Sequence, residues 1–342
     1  MKAVVLTNFG GTENLKLEGN FPEPQIKENS VLVKVKATAL NRLDIWIRKG
    51  SLPFKPSLPH ILGSDISGIV EKVGNLVKGI NIGEEVVISP GISCGVCYRC
   101  LKGEDNLCKE YGIIGLKSHG GYAEYIAVPQ ENIIRKPKNL SFEEAASYPL
   151  TFLTAWNALV NKGKIKAGMN VLIWGGSSGI GTAAIQIAKL FSTFVITTVG
   201  SQDKREKCEE IGADIVLDHY KDDVPSTVLK TIGGVDLVLD HIGKATFDKS
   251  IQCLKKGGKL IFMGTTTGGD VDINLRSLFT AEISLLGVYM GRKSDLLLIS
   301  DLLERGKLKP VLDKVFTLEE ASKAHDYLER GNHFGKVVLK VC

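Results

Sequence analysis

Four cysteines, Cys94, Cys97, Cys100 and Cys108, fall within 15 residues. Four thiolates at such short spacing suit one tetrahedral Zn²⁺ with no coordination position left for water, so the site is structural rather than catalytic. An iron–sulfur cluster is the competing ligand for closely spaced cysteines. The ion would fix the loop 91–111, which has few apolar anchors of its own. Cys208, Cys253 and Cys342 are isolated, and the total of seven is odd. This pattern favours a metal over disulfides and a reducing compartment.

A second chemical signal is the run Trp174-Gly-Gly-Ser-Ser-Gly-Ile-Gly181. A glycine-rich turn into a helix N-terminus lets backbone N–H groups approach a pyrophosphate, and the helix dipole favours its charge. Ser178 stands where the second glycine of G-x-G-x-x-G is expected if Gly176 is the first. The following strand ends near Gly200 and Ser201 without the acidic residue that binds a ribose 2′-hydroxyl, whereas Lys204 and Arg205 stand close by. A 2′-phosphate is a dianion that wants such cations, which favours NADP(H) over NAD(H). Asp203 reads as the opening turn of the next helix.

Both signals need elements to position them. Period-two alternation at 31–35, 69–73, 86–88 and 122–128 predicts short antiparallel strands in the first half. Helical spacing begins near residue 143, with Ser141 and Glu144 set as a capping box and Pro149 marking a kink or break. Strands (171–174, 194–199, 215–217, 237–239, 260–263 and 285–289) then alternate with helices (180–190 and 204–211), which predicts a parallel sheet covered on both faces. The last ~50 residues carry two helical patterns, 295–304 and 319–330, and a final strand, 336–341. The fold class is therefore α/β and discontinuous: a β-rich domain over 1–151 and 291–342, and a doubly wound cofactor domain over 152–290.

The 342 residues carry 43 basic and 38 acidic side chains, mixed along the chain, and 44% are hydrophobic. No basic stripe marks a nucleic-acid surface. No apolar run is long enough for a membrane span, and the N-terminus lacks a signal-peptide pattern, which implies the cytoplasm.

Taken together, these residues resemble the medium-chain dehydrogenase/reductase superfamily of zinc alcohol dehydrogenases and quinone oxidoreductases. The resemblance runs through the opening MKAVVL, Asn41-x-x-Asp44, Gly63-Ser-Asp-Ile-Ser-Gly68, the cysteine lobe, Gly120-Gly-Tyr-Ala-Glu-Tyr125, the glycine loop and Gly335-Lys-Val-Val-Leu339. It implies a GroES-like β domain plus a Rossmann domain with the active site in the cleft between them, and a homodimer or homotetramer joined through cofactor domains. The run 283–289 is a candidate edge strand for that joining.

By the same resemblance, Gly176, Ser178, Gly179, Ile180 and Gly181 meet the pyrophosphate. Gly200, Ser201, Lys204 and Tyr220 surround the ribose phosphate. His241, Ile242, Gly243, Met263, Gly264 and Thr265 lie at the nicotinamide side, and Lys336 is a further cofactor-side residue. The zinc enzymes hold a catalytic ion with a Cys, a His and a Cys or carboxylate. The matching positions here are Asn41, Ser64 and, approximately, Thr151, which are poor zinc ligands.

The expected activity is therefore hydride transfer from NADPH to an activated C=C, a quinone or a carbonyl of a small molecule without catalytic zinc. Asn41 is the expected amide donor, and Asp44 and Ser64 the expected pocket residues. Two alternatives stand beside it. One is an alcohol dehydrogenase with an unusual catalytic metal site built from Asp44, His60 or Asp65; the other is a non-catalytic NADPH-binding structural protein.

Overall fold

The computed structural model describes residues 1–341; Cys342 lies outside them. The chain divides into two compact units, Met1–Leu150 with Arg292–Cys342, and Thr151–Gly291.

The first unit is built on a seven-stranded sheet. Its main path runs Ile133–Arg135, Glu85–Ile88, Asp65–Val73, Ser30–Ala39, Lys336–Lys340 and Leu312–Thr317, and Tyr125–Pro129 also pairs with Ser30–Ala39. Alternation in the central strand sends Val31, Val33 and Val35 into a core with Ile66, Val70, Val86, Ile88, Ile126 and Val128. Farther along the strand, Ala37 and Ala39 are small enough to admit Ala146 of the helix Phe142–Ala146. That helix opens with the Ser141–Glu144 capping box and stops three residues before Pro149, where a new helix, Pro149–Trp156, begins. The tail contributes two strands, of which Leu312–Thr317 lacked clear alternation and was not expected from the sequence.

The second unit is a six-stranded sheet in which every pairing is parallel. Its strands are β1 (Asn170–Ile173), β2 (Phe194–Val199), β3 (Ile215–Asp218), β4 (Val235–Asp240), β5 (Leu254–Phe262) and β6 (Ser284–Gly287). Their spatial order is 3-2-1-4-5-6, which is the doubly wound dinucleotide-binding order. Helix α1 (Gly179–Leu190) follows β1, and α2 (Gln202–Glu210) follows β2. The strands read as apolar runs because both faces are covered, and Leu172, Ile196, Val238 and Leu260 are fully or almost fully buried.

Candidate functional site

In the first unit, strand register brings three polar side chains together. Ala39 pairs with Asp65 on one side and Val338 on the other. Continuing the second register by two residues places Lys336 opposite Asn41. Lys336 Nζ donates to Asn41 Oδ1 at 2.6 Å and to Asp65 Oδ2 at 2.9 Å, and Asn41 Nδ2 donates to the same Asp65 oxygen at 2.9 Å. The Leu150 N–H reaches Asp65 Oδ1 at 2.7 Å. Asn41, Asp65 and Lys336 are all buried. Lys336, expected as a cofactor-side residue of the cleft, is joined to Asn41 because the register of its strand carries it there.

Asp44, expected as a pocket residue, is engaged with the backbone. Its two oxygens accept the N–H groups of Asn41 (2.7 Å) and Gly63 (3.0 Å), and the side chain is fully buried. It ties the first turn of the helix Arg42–Lys49 to the neighbouring loop. Burial pushes its carboxyl up to about 6, partly opposed by those two backbone bonds. Ser64 is also fully buried, and its Oγ has no hydrogen-bond partner. His60 donates from Nε2 to Gly115 O at 3.0 Å, and burial pulls its pKa down to about 4.

The four cysteines of the lobe converge. Cys94–Cys100, Cys97–Cys100 and Cys94–Cys108 sulfur separations are 3.9, 3.6 and 3.6 Å, and all four sulfurs lie within 4.8 Å of one another. Thiolates ~2.3 Å from a central tetrahedral Zn²⁺ are ~3.8 Å apart, so the arrangement fits the ion and is far too open for a disulfide. Among the described residues this is the one group of three or more metal-capable side chains that come together. The lobe is tied to the returning chain where Asp105 Oδ1 accepts the Lys293 N–H at 3.0 Å.

In the second unit, the glycine loop joins β1 to α1. A Cβ on Gly176 would lie 2.3 Å from Thr197 Oγ1, so the loop needs glycine there to lie close on β2. Ser178 caps α1, with Oγ accepting the Gly181 N–H at 2.9 Å. The remaining first-turn N–H groups, at Gly179 and Ile180, have no intrahelical acceptor and are available to an anion. The structure thus explains the departure at Ser178: it is a helix cap. At the end of β2, a Cβ on Gly200 would lie 2.7 Å from the ring of Tyr220, which is 81% exposed and packs edge-on to His219. Ser201 precedes α2, and Asp203 and Lys204 lie in its first turn. This ledge can receive the adenosine end of a dinucleotide.

The turns after β4 and β5 interlock. Thr267 N donates to Ile242 O at 2.9 Å, and Met263 N to Asp240 O at 3.0 Å. Gly243 needs its missing side chain, since a Cβ would lie 2.6 Å from Gly268 O. Met263 is buried; Gly264 and Thr265 follow it in the turn on the solvent side. Asp240 organises the His241–Gly243 turn and was missed in the sequence. Its Oδ1 accepts from Ile242 N, Gly243 N and Thr246 Oγ1, and its Oδ2 from Ser250 Oγ, which in turn accepts from Trp174 Nε1. The available signal was a carboxylate closing an otherwise apolar strand.

A parallel sheet in this order, glycine turns at the carboxyl ends of its strands, and a four-thiol lobe on a β unit define a dinucleotide-dependent dehydrogenase or reductase. Residues 27–138 match the alcohol dehydrogenase GroES-like domain, and residues 179–305 the zinc-binding dehydrogenase domain. An NAD-dependent alcohol dehydrogenase from Sulfolobus acidocaldarius is 34% identical, covering all of both chains. The human quinone oxidoreductase is 30% identical, covering 99% of this chain and 97% of its own. A 2-methylene-furan-3-one reductase from Solanum lycopersicum is 34% identical over 99% of this chain and 79% of its own. A crystal structure of an NAD-dependent alcohol dehydrogenase superposes with a TM-score of 0.97 at 46% identity, covering both chains completely.

The chain belongs to the zinc-type alcohol dehydrogenase/quinone oxidoreductase family of medium-chain dehydrogenases/reductases. It is an oxidoreductase, and the expectation of a non-catalytic binding protein gives way to that. No helix among the described residues is long and apolar enough to cross a membrane.

Proposed function

We propose that this protein is an NADPH-dependent reductase that delivers hydride to an activated C=C bond or a quinone without a catalytic metal ion. The carrying observation is the donor set around Asn41. The positions that the resemblance assigns to catalytic zinc ligands hold Asn41, Ser64 and Thr151, and none is a good zinc donor. The carboxylates beside them are already committed: Asp65 to Lys336, Asn41 and a backbone N–H, and Asp44 to two backbone N–H groups.

NADPH, when bound, supplies the hydride. Gly176, Ser178, Gly179, Ile180 and Gly181 would hold its pyrophosphate, and Lys204 with Gly200, Ser201 and Tyr220 would receive the ribose 2′-phosphate. His241, Ile242, Gly243, Met263, Gly264 and Thr265 would bound the nicotinamide side. Hydride addition at the β-carbon of an enone would shift the C=C pair into a bond between the α-carbon and the carbonyl carbon and push the C=O π pair onto the oxygen. A proton from solvent then completes the saturated product. Asn41 donates a hydrogen bond to that oxygen as its charge grows, and a preorganised donor in such a role is worth about 3 kcal/mol.

The cysteine lobe holds one structural Zn²⁺, and the reducing cytoplasm suits its thiolates. Dimers or tetramers form through β6, the outermost strand of its sheet, near which Leu275 and Phe279 are exposed.

The test is turnover of a small enone, a benzoquinone and a primary alcohol with NADPH/NADP⁺ and NADH/NAD⁺, alongside metal analysis. The reading requires enone or quinone reduction with NADPH preferred, and about one zinc per chain. About two zincs per chain, with alcohol oxidation lost on chelation and restored by Zn²⁺, would overturn it. That second reading, a zinc-dependent alcohol dehydrogenase, draws its alcohol dehydrogenase part from the 46% identity to an NAD-dependent alcohol dehydrogenase.

A further inference from the structure

Asn41, Asp65 and Lys336 close a ring of three hydrogen bonds of 2.6–2.9 Å, and each side chain is more than nine-tenths buried. The ring fixes which way the Asn41 amide faces. Turning it over would set an N–H₂ against the Lys336 ammonium, donor against donor, and would face Oδ1 to the Asp65 carboxylate, acceptor against acceptor. One Nδ2 hydrogen is committed to Asp65, so one is left for a ligand. The ammonium on Oδ1 also draws electron density through the amide, which strengthens Nδ2 as a donor, because hydrogen bonds in a chain polarise one another.

We propose that Lys336 and Asp65 are positioning residues that hold the Asn41 amide in one orientation and polarise it as the donor to the substrate oxygen. The proposal rests on the metal-free reductase reading. Under it, a fixed cation set one residue behind the donor provides part of the electrostatic stabilisation that a zinc ion gives elsewhere in the family. A purely structural pair would serve only to neutralise Asp65 in the core.

A double-mutant cycle on the full-length protein separates these. Asn41→Ala, Lys336→Gln and the double variant are compared for kcat with a small enone at saturating NADPH, and NADPH affinity is measured by fluorescence. Each single change is expected to lower kcat by roughly 10- to 100-fold with NADPH affinity held within about 3-fold. The double variant should be no slower than Asn41→Ala by more than about 3-fold, because Lys336 acts through Asn41. Multiplying losses, or an unchanged kcat in Lys336→Gln, would overturn the proposal.

Lys336→Gln leaves the Asp65 charge buried and unpaired. If it does not fold, the neutral pair Asp65→Asn with Lys336→Gln takes its place in the same cycle. An activity-independent arm reads the Asn41 side-chain amide in ¹⁵N-Asn-labelled protein, assigned by its disappearance in Asn41→Ala. Its resonances are expected to move when the Lys336 charge is removed, and unmoved resonances would overturn the polarisation. If the wild type reduces no enone or quinone, the reductase reading fails separately, and the resonance arm still decides whether Lys336 acts on Asn41.

Discussion

Ser178 and His241, 63 residues apart, meet at 3.1 Å between the Ser178 hydroxyl and the imidazole Nε2. The same hydroxyl caps helix α1 through Gly181. One side chain thus couples the phosphate-facing turn after β1 to the turn after β4. Ser178→Ala should cost about 1 kcal/mol of stability for the lost cap. It should also weaken NADPH binding by about 5-fold, or about 1 kcal/mol, as His241 loses its partner. Urea denaturation and fluorescence titration check the two effects, and unchanged affinity would show that the contact does not shape the site.

Asp240 accepts four hydrogen bonds while buried. Asp240→Ala orphans two backbone N–H groups and the Ser250 hydroxyl, while Thr246 Oγ1 keeps Gly243 O, and should destabilise the protein by about 3 kcal/mol or more. Trp174→Phe removes only the outer link to Ser250 and should cost about 1 kcal/mol. Denaturation midpoints should therefore fall in that order; equal losses would contradict the hub role.

Asp44 predicts a pH dependence of a definite sign. Its carboxyl is raised by burial from 3.8 to about 6 in the fold. The native state then holds a proton that the unfolded state has released between those values. The group's contribution is full below pH 3.8 and is lost as pH rises through about 6, a change of about 3 kcal/mol. Asp44→Asn abolishes this slope, although it loses one of the two backbone bonds and should be less stable than wild type at low pH. The check is the difference in unfolding free energy between the two proteins from pH 4 to 7, which should narrow as pH rises; a constant or widening difference would refute the assignment.

Removing the lobe metal should act locally. Cys100→Ser breaks the four-thiol set and should drop the zinc content, lower Tm and open the segment around Cys94–Cys108 to protease. Proteolytic mapping by mass spectrometry reads the site of cleavage. Cleavage elsewhere, or retention of zinc, would show that the lobe is held in another way.

What the sequence determined is what short stretches of chain encode. The four cysteines lie close enough along the chain that a few turns suffice to converge them, so their spacing alone announced a metal lobe. The glycine loop and the apolar runs around it announced a parallel sheet with a phosphate-binding turn, because each strand and helix carries its own periodicity. Tertiary structure decided which polar residues meet across long separations. Lys336 and Asn41 are 295 residues apart, and only antiparallel register at Ala39 brings them together. Asp44 and Asp65 are equally acidic in the sequence, yet one anchors backbone and the other pairs with a lysine. Periodicity fixes which face of a strand a residue occupies, but not which distant strand lies beside it, and a buried charge takes its role from that neighbour.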